Sequence, residues 1–158
     1  MKIYLDSSFI VALLLRDHES HDVVEREFSF FKKNQAYLYL SILTIDEIWY
    51  VLYRSEGDKD KPFALFSEGF SDILTNFLGT YKVHIPRNTD NLSLINDSLR
   101  ASIKYNLRPR DAFHYSYAKN LKAKLYTLDQ DFLKTDLGVS IIENLWLKEK
   151  ILGEDNPV

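Results

Sequence analysis

Short apolar runs alternate with longer amphipathic segments along nearly all of this chain, and that alternation restricts the fold more than any other feature. Ile3-Tyr4-Leu5, Tyr37 to Leu40, Tyr81 to Ile85, Lys124 to Leu128 and Ser140 to Ile142 read as strands. Between them lie segments with apolar residues at helical spacing. Phe9 to Leu15 is the first, with Ser7 or Ser8 as its N-cap. His18 to Lys33 buries Val23, Val24, Phe28 and Phe31, and Ser41 to Arg54 buries Ile45, Ile48, Trp49 and Leu52. Phe63 to Leu78 is closed by Gly79, and Asn88 to Tyr105 follows. Pro109 opens a last helix, where its missing N–H costs nothing. Strands alternating with helices predict an α/β fold, with a central parallel sheet of about 4–5 strands and helices on both faces.

The chain has 158 residues, 46% of them hydrophobic, enough for one core but not for two. Residues 1–150 are therefore expected to form one domain, and 151–158 a frayed tail. Ser55 to Pro62 is polar and carries Gly57 and Pro62, as a loop does. The absence of cysteine removes disulfides, thiolate catalysis and Cys-based zinc sites. Asp6 interrupts the first apolar stretch, and Phe9 to Leu15 is too short to span a bilayer. The expectation is a cytoplasmic protein with no membrane segment.

Four acids stand where a strand-like run meets a helix or within a helix's first turns: Asp6, Glu47, Asp111 and Asp129. Each has an ordinary structural reading. Asp6 can cap the first helix, and Glu47 follows Thr44 at capping-box spacing. Asp111 lies where the dipole of the helix opened by Pro109 favours negative charge, and Asp129 can cap a turn containing Phe132 and Leu133. Capping does not explain why two of these acids follow buried strands so closely. In a parallel sheet those strand ends share one rim, where open α/β proteins bind ligands. Close carboxylates raise one another's pKa unless a counter-charge is present. A divalent cation such as Mg²⁺ or Mn²⁺ supplies that charge and takes oxygen ligands readily. Two such ions about 3.5–4 Å apart can activate a water and stabilise the leaving oxygen of a phosphodiester.

The stretch Tyr4-Leu5-Asp6-Ser7-Ser8-Phe9-Ile10, then Glu47, then Asp111-Ala112-Phe113-His114 and Thr127-Leu128-Asp129-Gln130-Asp131-Phe132, resembles the PIN-domain family, closest to its VapC-type toxin ribonucleases. The resemblance runs from about Lys2 to Ile142. It implies that Asp6, Glu47, Asp111 and Asp129 bind metal, with Asp131 either an outer acid or a helix cap. It implies supporting roles for Ser7 and Thr127, hydrolysis of RNA by metal-activated water, a homodimer, and an antitoxin protein that occludes the acidic pocket. Two departures stand out: Ser8 occupies a position where many relatives carry Asn, and the segment from Ser55 to Tyr81 is long.

An acidic protein that cuts RNA needs a local positive field. Arg100, Lys104, Arg108, Arg110, Lys119, Lys122 and Lys124 lie in one window with Asp111 as its only acid, while the whole chain carries −3. Arg108 and Arg110 are the expected RNA contacts, although ordinary solvated helix faces look the same in sequence. His18 and His21 lack the further ligands of a zinc set and read as surface residues. His114, one turn from Asp111, could touch the edge of the site, but packing among Phe113, Tyr115 and Tyr117 with one polar contact is the commoner outcome. A phosphatase or receiver-like phosphoryl-transfer domain ranks second: the former wants Asp where Ser8 stands, and the run Tyr37–Leu40 ends in Ser41, without the receiver's acceptor acid. A non-enzymatic PIN-like scaffold, its acids serving as caps, ranks third. Within the nuclease reading, a housekeeping enzyme of RNA processing would carry the same acids as a toxin.

Overall fold

The computed structural model describes residues 1–56, 63–86, 91–134 and 142–145. Its centre is a parallel four-stranded sheet built from β1 (Lys2–Leu5), β2 (Tyr37–Tyr39), β3 (Lys124–Thr127) and β4 (Ile142–Asn144), in the order β2-β1-β3-β4. Tyr4 pairs with Tyr39 on one side and Leu125 on the other. Because successive residues of a strand face opposite sides, β1 feeds two cores. Ile3 and Leu5 enter one, and Tyr4 enters the other.

Helices α1 (Ser7–Leu14), α2 (His21–Lys33), α3 (Ile42–Glu56) and α4 (Phe63–Tyr81) supply the first core through Phe9, Phe31, Ile48 and Phe70. Helices α5 (Asn91–Tyr105) and α6 (Pro109–Leu121) supply the second, where Ala101, Ala112 and Ala118 let the helices approach Tyr4 and Leu125. The expected α/β architecture with helices on both faces is what forms. Among the described residues no helix is long and apolar enough to cross a membrane.

Three local expectations change. The strand expected over Tyr81–Ile85 is a single bridge, His84 with Tyr39. Gly79 does not stop α4, which runs on to Tyr81; Lys82 takes the left-handed turn (φ 50°), and Val83 N–H closes back on Leu78 O at 3.0 Å. What remains before Pro86 is too short to pair further. The N-cap of α1 is neither Ser7 nor Ser8 but Asp6, whose carboxylate accepts from the Ser7 N–H. The last strand begins at Ile142, so Ser140, most of the 55–62 loop and the 151–158 tail lie outside the described residues.

Candidate active site

The site lies at the rim where β1 and β3 end. The Asp6 N–H donates to Tyr126 O at 3.1 Å, so the side chain emerges just past the β1–β3 ladder. Both carboxylate oxygens are held. Oδ1 accepts from Ser7 N at 2.7 Å, and Oδ2 accepts from Ser8 Oγ at 2.9 Å and Thr127 Oγ1 at 2.7 Å. Ser7 acts on Asp6 mainly through its backbone, since its hydroxyl stands 3.4 Å away. Ser8 supplies the stronger side-chain contact and also accepts from Leu128 N at 3.0 Å, tying α1 to the end of β3.

Glu47 projects from α3. The capping box of that helix is made without it: Thr44 N–H donates to Ser41 Oγ at 3.1 Å, and Ser41 N–H donates to Thr44 Oγ1 at 3.3 Å. Glu47 sits one turn further in, buried at 8% exposure, with Oε2 2.8 Å from His114 Nε2. The same nitrogen is 3.5 Å from Asp6 Oδ1. His114 is thus a central residue of the site, not an edge residue packed among aromatics. Burial raises the Glu47 pKa, but the His114 hydrogen bond and charge, with Ser7 and Arg110, outweigh it and hold the carboxyl below its ordinary value. Burial lowers the His114 pKa, and Asp6, Glu47 and Asp111 together turn that into a net rise.

The other half of the site is purely acidic. Asp111 is the third residue of α6, and its buried Oδ2 has no hydrogen-bond partner among the described residues. Burial, with Asp129, Asp6 and Asp131 nearby, pushes its carboxyl up to about 6. Asp129 N–H donates to Thr127 Oγ1 at 2.9 Å, and Asp129 Oδ1 accepts from Asp131 N at 2.8 Å, which starts the 3-10 turn Gln130–Lys134. Its pKa is raised by burial and by Asp6 and Asp131, against the Asp131 N–H and Arg108. Asp131 Oδ2 lies 3.2 Å from Arg108 Nη1, and Glu47 Oε1 lies 3.7 Å from Arg110 Nη1. Both arginine side chains are mostly exposed at the mouth.

Two triplets of ligand-capable atoms therefore adjoin, Asp6–Glu47–His114 and Asp111–Asp129–Asp131, each set lying within 4.8 Å of one another. Every acid singled out in the sequence reaches this rim. His18 and His21 do not: His21 Nδ1 bonds Ala12 O at 2.9 Å, and His18 Nδ1 accepts from Ser20 N at 3.1 Å.

Residues 3–77 match the family model described as the PIN domain. That segment, just under half of the chain, is similar to a PIN domain. That match includes Asp6 and Glu47, and the fold brings Asp111 and Asp129, which lie beyond it, to the same rim. No curated protein sequence matches it. Solved structures share the fold: Mycobacterium tuberculosis VapC20, a sarcin-ricin loop cleaving toxin, is 18% identical over 83% of this chain and 92% of its own, with a TM-score of 0.60. Rickettsia felis VapBC2, solved bound to a DNA fragment from its promoter, is 17% identical over 91% and 98%, with a TM-score of 0.63. Neisseria gonorrhoeae FitAcB is 15% identical over 92% and 99%, with a TM-score of 0.58. The chain thus shares its architecture with these proteins.

Proposed function

We propose that this chain is a PIN-domain protein, a cytoplasmic, metal-dependent endoribonuclease and the toxin of a type II toxin–antitoxin pair. The observation that carries the reading is the acidic rim with its orphaned oxygen. Asp6, Glu47, Asp111 and Asp129 converge, and among the described residues the buried Oδ2 of Asp111 lacks a partner that a divalent cation would supply. An oxygen-rich set of this kind fits Mg²⁺ or Mn²⁺. Asp6, Glu47, Asp111 and Asp129 would hold the ion, with Asp131 at the outer edge. When bound, a divalent cation lowers the pKa of water and stabilises charge on phosphodiester oxygens.

The chain's own residues do the rest. Ser8 and Thr127 fix the orientation of Asp6 through its Oδ2. Arg108 and Arg110 stand at the mouth, where exposed guanidinium groups can take the phosphate backbone of a strand. Arg100, Lys104 and Lys119 line one groove between α5 and α6 and extend the positive field along the surface. With no cysteine in the chain, attack by water is the simplest hydrolysis. Leu92, Leu99 and Ile103 leave a stripe of exposed apolar surface on α5, which supports a homodimer or an antitoxin contact. The architecture shared with VapBC2 and FitAcB supports the antitoxin reading over a housekeeping nuclease.

The test is incubation of purified protein with single-stranded and structured RNA, with Mg²⁺ or Mn²⁺ and with a chelator. Cleavage that requires the metal and is lost in Asp6→Asn is the expected result. Metal-independent cleavage, or cleavage unchanged in Asp6→Asn, overturns the assignment; hydrolysis of a small phosphate ester with RNA intact favours a phosphatase.

A further inference from the structure

Beyond the acids, a buried polar chain crosses three elements and ends on Glu47. Thr44 and Ser41 cap α3, and both reach the Tyr4 hydroxyl on β1, at 3.2 and 2.8 Å. That hydroxyl is 2.8 Å from His114 Nδ1 on α6, and the far ring nitrogen is 2.8 Å from Glu47 Oε2, back on α3. Tyr4 is fully buried and His114 is 2% exposed. Bulk water therefore does not reach the contacts that Tyr4 makes with Ser41, Thr44 and His114. A buried polar network with every member partnered is rigid, and a member left unpartnered is costly.

The direction of the Nε2 contact follows from its neighbours. It faces two carboxylates, Glu47 at 2.8 Å and Asp6 at 3.5 Å. Only an N–H is favourable there; a bare lone pair would repel both acids. In the metal-free site His114 Nε2 therefore favours an N–H directed at Glu47 over a bare lone pair. The ring is also aligned by its neighbours: Tyr4 packs between His114, tilted at 54°, and Tyr117, stacked at 11°.

We propose that His114 is a positioning residue: its Nε2–H fixes the Glu47 carboxylate beside Asp6, and Tyr4, anchored on the Ser41–Thr44 cap, fixes the imidazole. The inference rests on the reading of the acidic rim as a metal site. It gives α3 two roles through one network, since the residues that start the helix also set the side chain one turn further along.

Mn²⁺ titration of the purified protein, followed by the electron paramagnetic resonance of the free ion and without RNA, tests this. Groups that orient metal ligands are worth about 10–100-fold in metal affinity. His114→Ala should weaken Mn²⁺ binding within that range, and Tyr4→Phe by about 10-fold on the same principle. His114→Gln, which can still offer an N–H to Glu47, should bind more tightly than His114→Ala. Folding is checked by near-ultraviolet circular dichroism. Should His114→Ala not fold, Tyr4→Phe and His114→Gln decide the question. Folded variants that bind Mn²⁺ like the wild type reduce His114 to packing, and variants that bind more tightly make it a competing cation; either result overturns the proposal. A wild type that binds Mn²⁺ but cuts no RNA contradicts the nuclease reading and leaves the positioning role intact.

Discussion

Asp111→Asn is expected to remove at least about 100-fold of the proposed RNA-cleaving activity while making the metal-free protein more stable at neutral pH. The loss has the size typical of deleting one preorganised electrostatic group from a reaction centre. The gain follows from the same environment. The Asp111 carboxyl lies at about 6, raised first by burial and then by Asp129, Asp6 and Asp131. A carboxyl raised on folding keeps its proton better in the folded state, so its contribution to stability is largest in acid and declines as pH rises from about 4 to about 6. Above that range the native state carries an ionised Asp111 whose buried Oδ2 has no partner among the described residues. Asparagine carries no charge at any pH and can donate an N–H to its acidic neighbours. Thermal melts in a chelator should therefore show wild type and Asp111→Asn close together near pH 4, separating up to pH 6, and parallel above it. The separation should be about 1 kcal/mol, since solvent at the open mouth screens part of the repulsion. A variant less stable than wild type at neutral pH would show that Asp111 serves the fold rather than the site.

Phe31→Ala should cost about 3–5 kcal/mol, the usual range for emptying a fully buried aromatic position. Phe31 is fully buried in the larger core. Its ring meets Tyr126 edge-on at 4.6 Å and Phe9 at 6.0 Å, clamping α1 and α2 onto β3. Small domains are stable by only about 5–15 kcal/mol, so the loss should move the urea midpoint far towards zero denaturant. Tyr126 immediately precedes Thr127, which donates to Asp6. The molecules that remain folded should nevertheless keep metal affinity within a few-fold, because Thr127 is also held by Asp129 N–H and lies near Ser8. A loss below about 1 kcal/mol would mean that Phe9 and Tyr126 close over the gap, which native packing density argues against.

The legibility of this chain follows the range of its interactions. Ile3–Leu5 and Leu125–Tyr126 are apolar over successive residues because both faces of a parallel sheet are covered, and that is readable locally. The acids are readable as a set because the topology sends strand ends and helix starts to one rim. Gly79 misleads because glycine marks many helix ends, whereas here α4 stays helical to Tyr81 and Lys82 adopts the left-handed turn. Ser7 and Ser8 exchange roles because only the three-dimensional turn decides which hydroxyl faces Asp6. His114 is the residue whose place is hardest to read. Its partners Tyr4 and Glu47 stand 110 and 67 residues away, and its own neighbours in sequence are aromatic. The helical spacing from Asp111 is the one local signal that it faces the same rim.

The acidic rim is the central claim, and a Mn²⁺-soaked crystal measured at the manganese absorption edge tests it most directly. The predicted result is an anomalous difference peak bounded by Asp6, Glu47, Asp111 and Asp129, with the Asp111 Oδ2 among its ligands and His114 Nε2 outside the coordination shell. A rim without a peak, or a peak held by His18 and His21 instead, would contradict it.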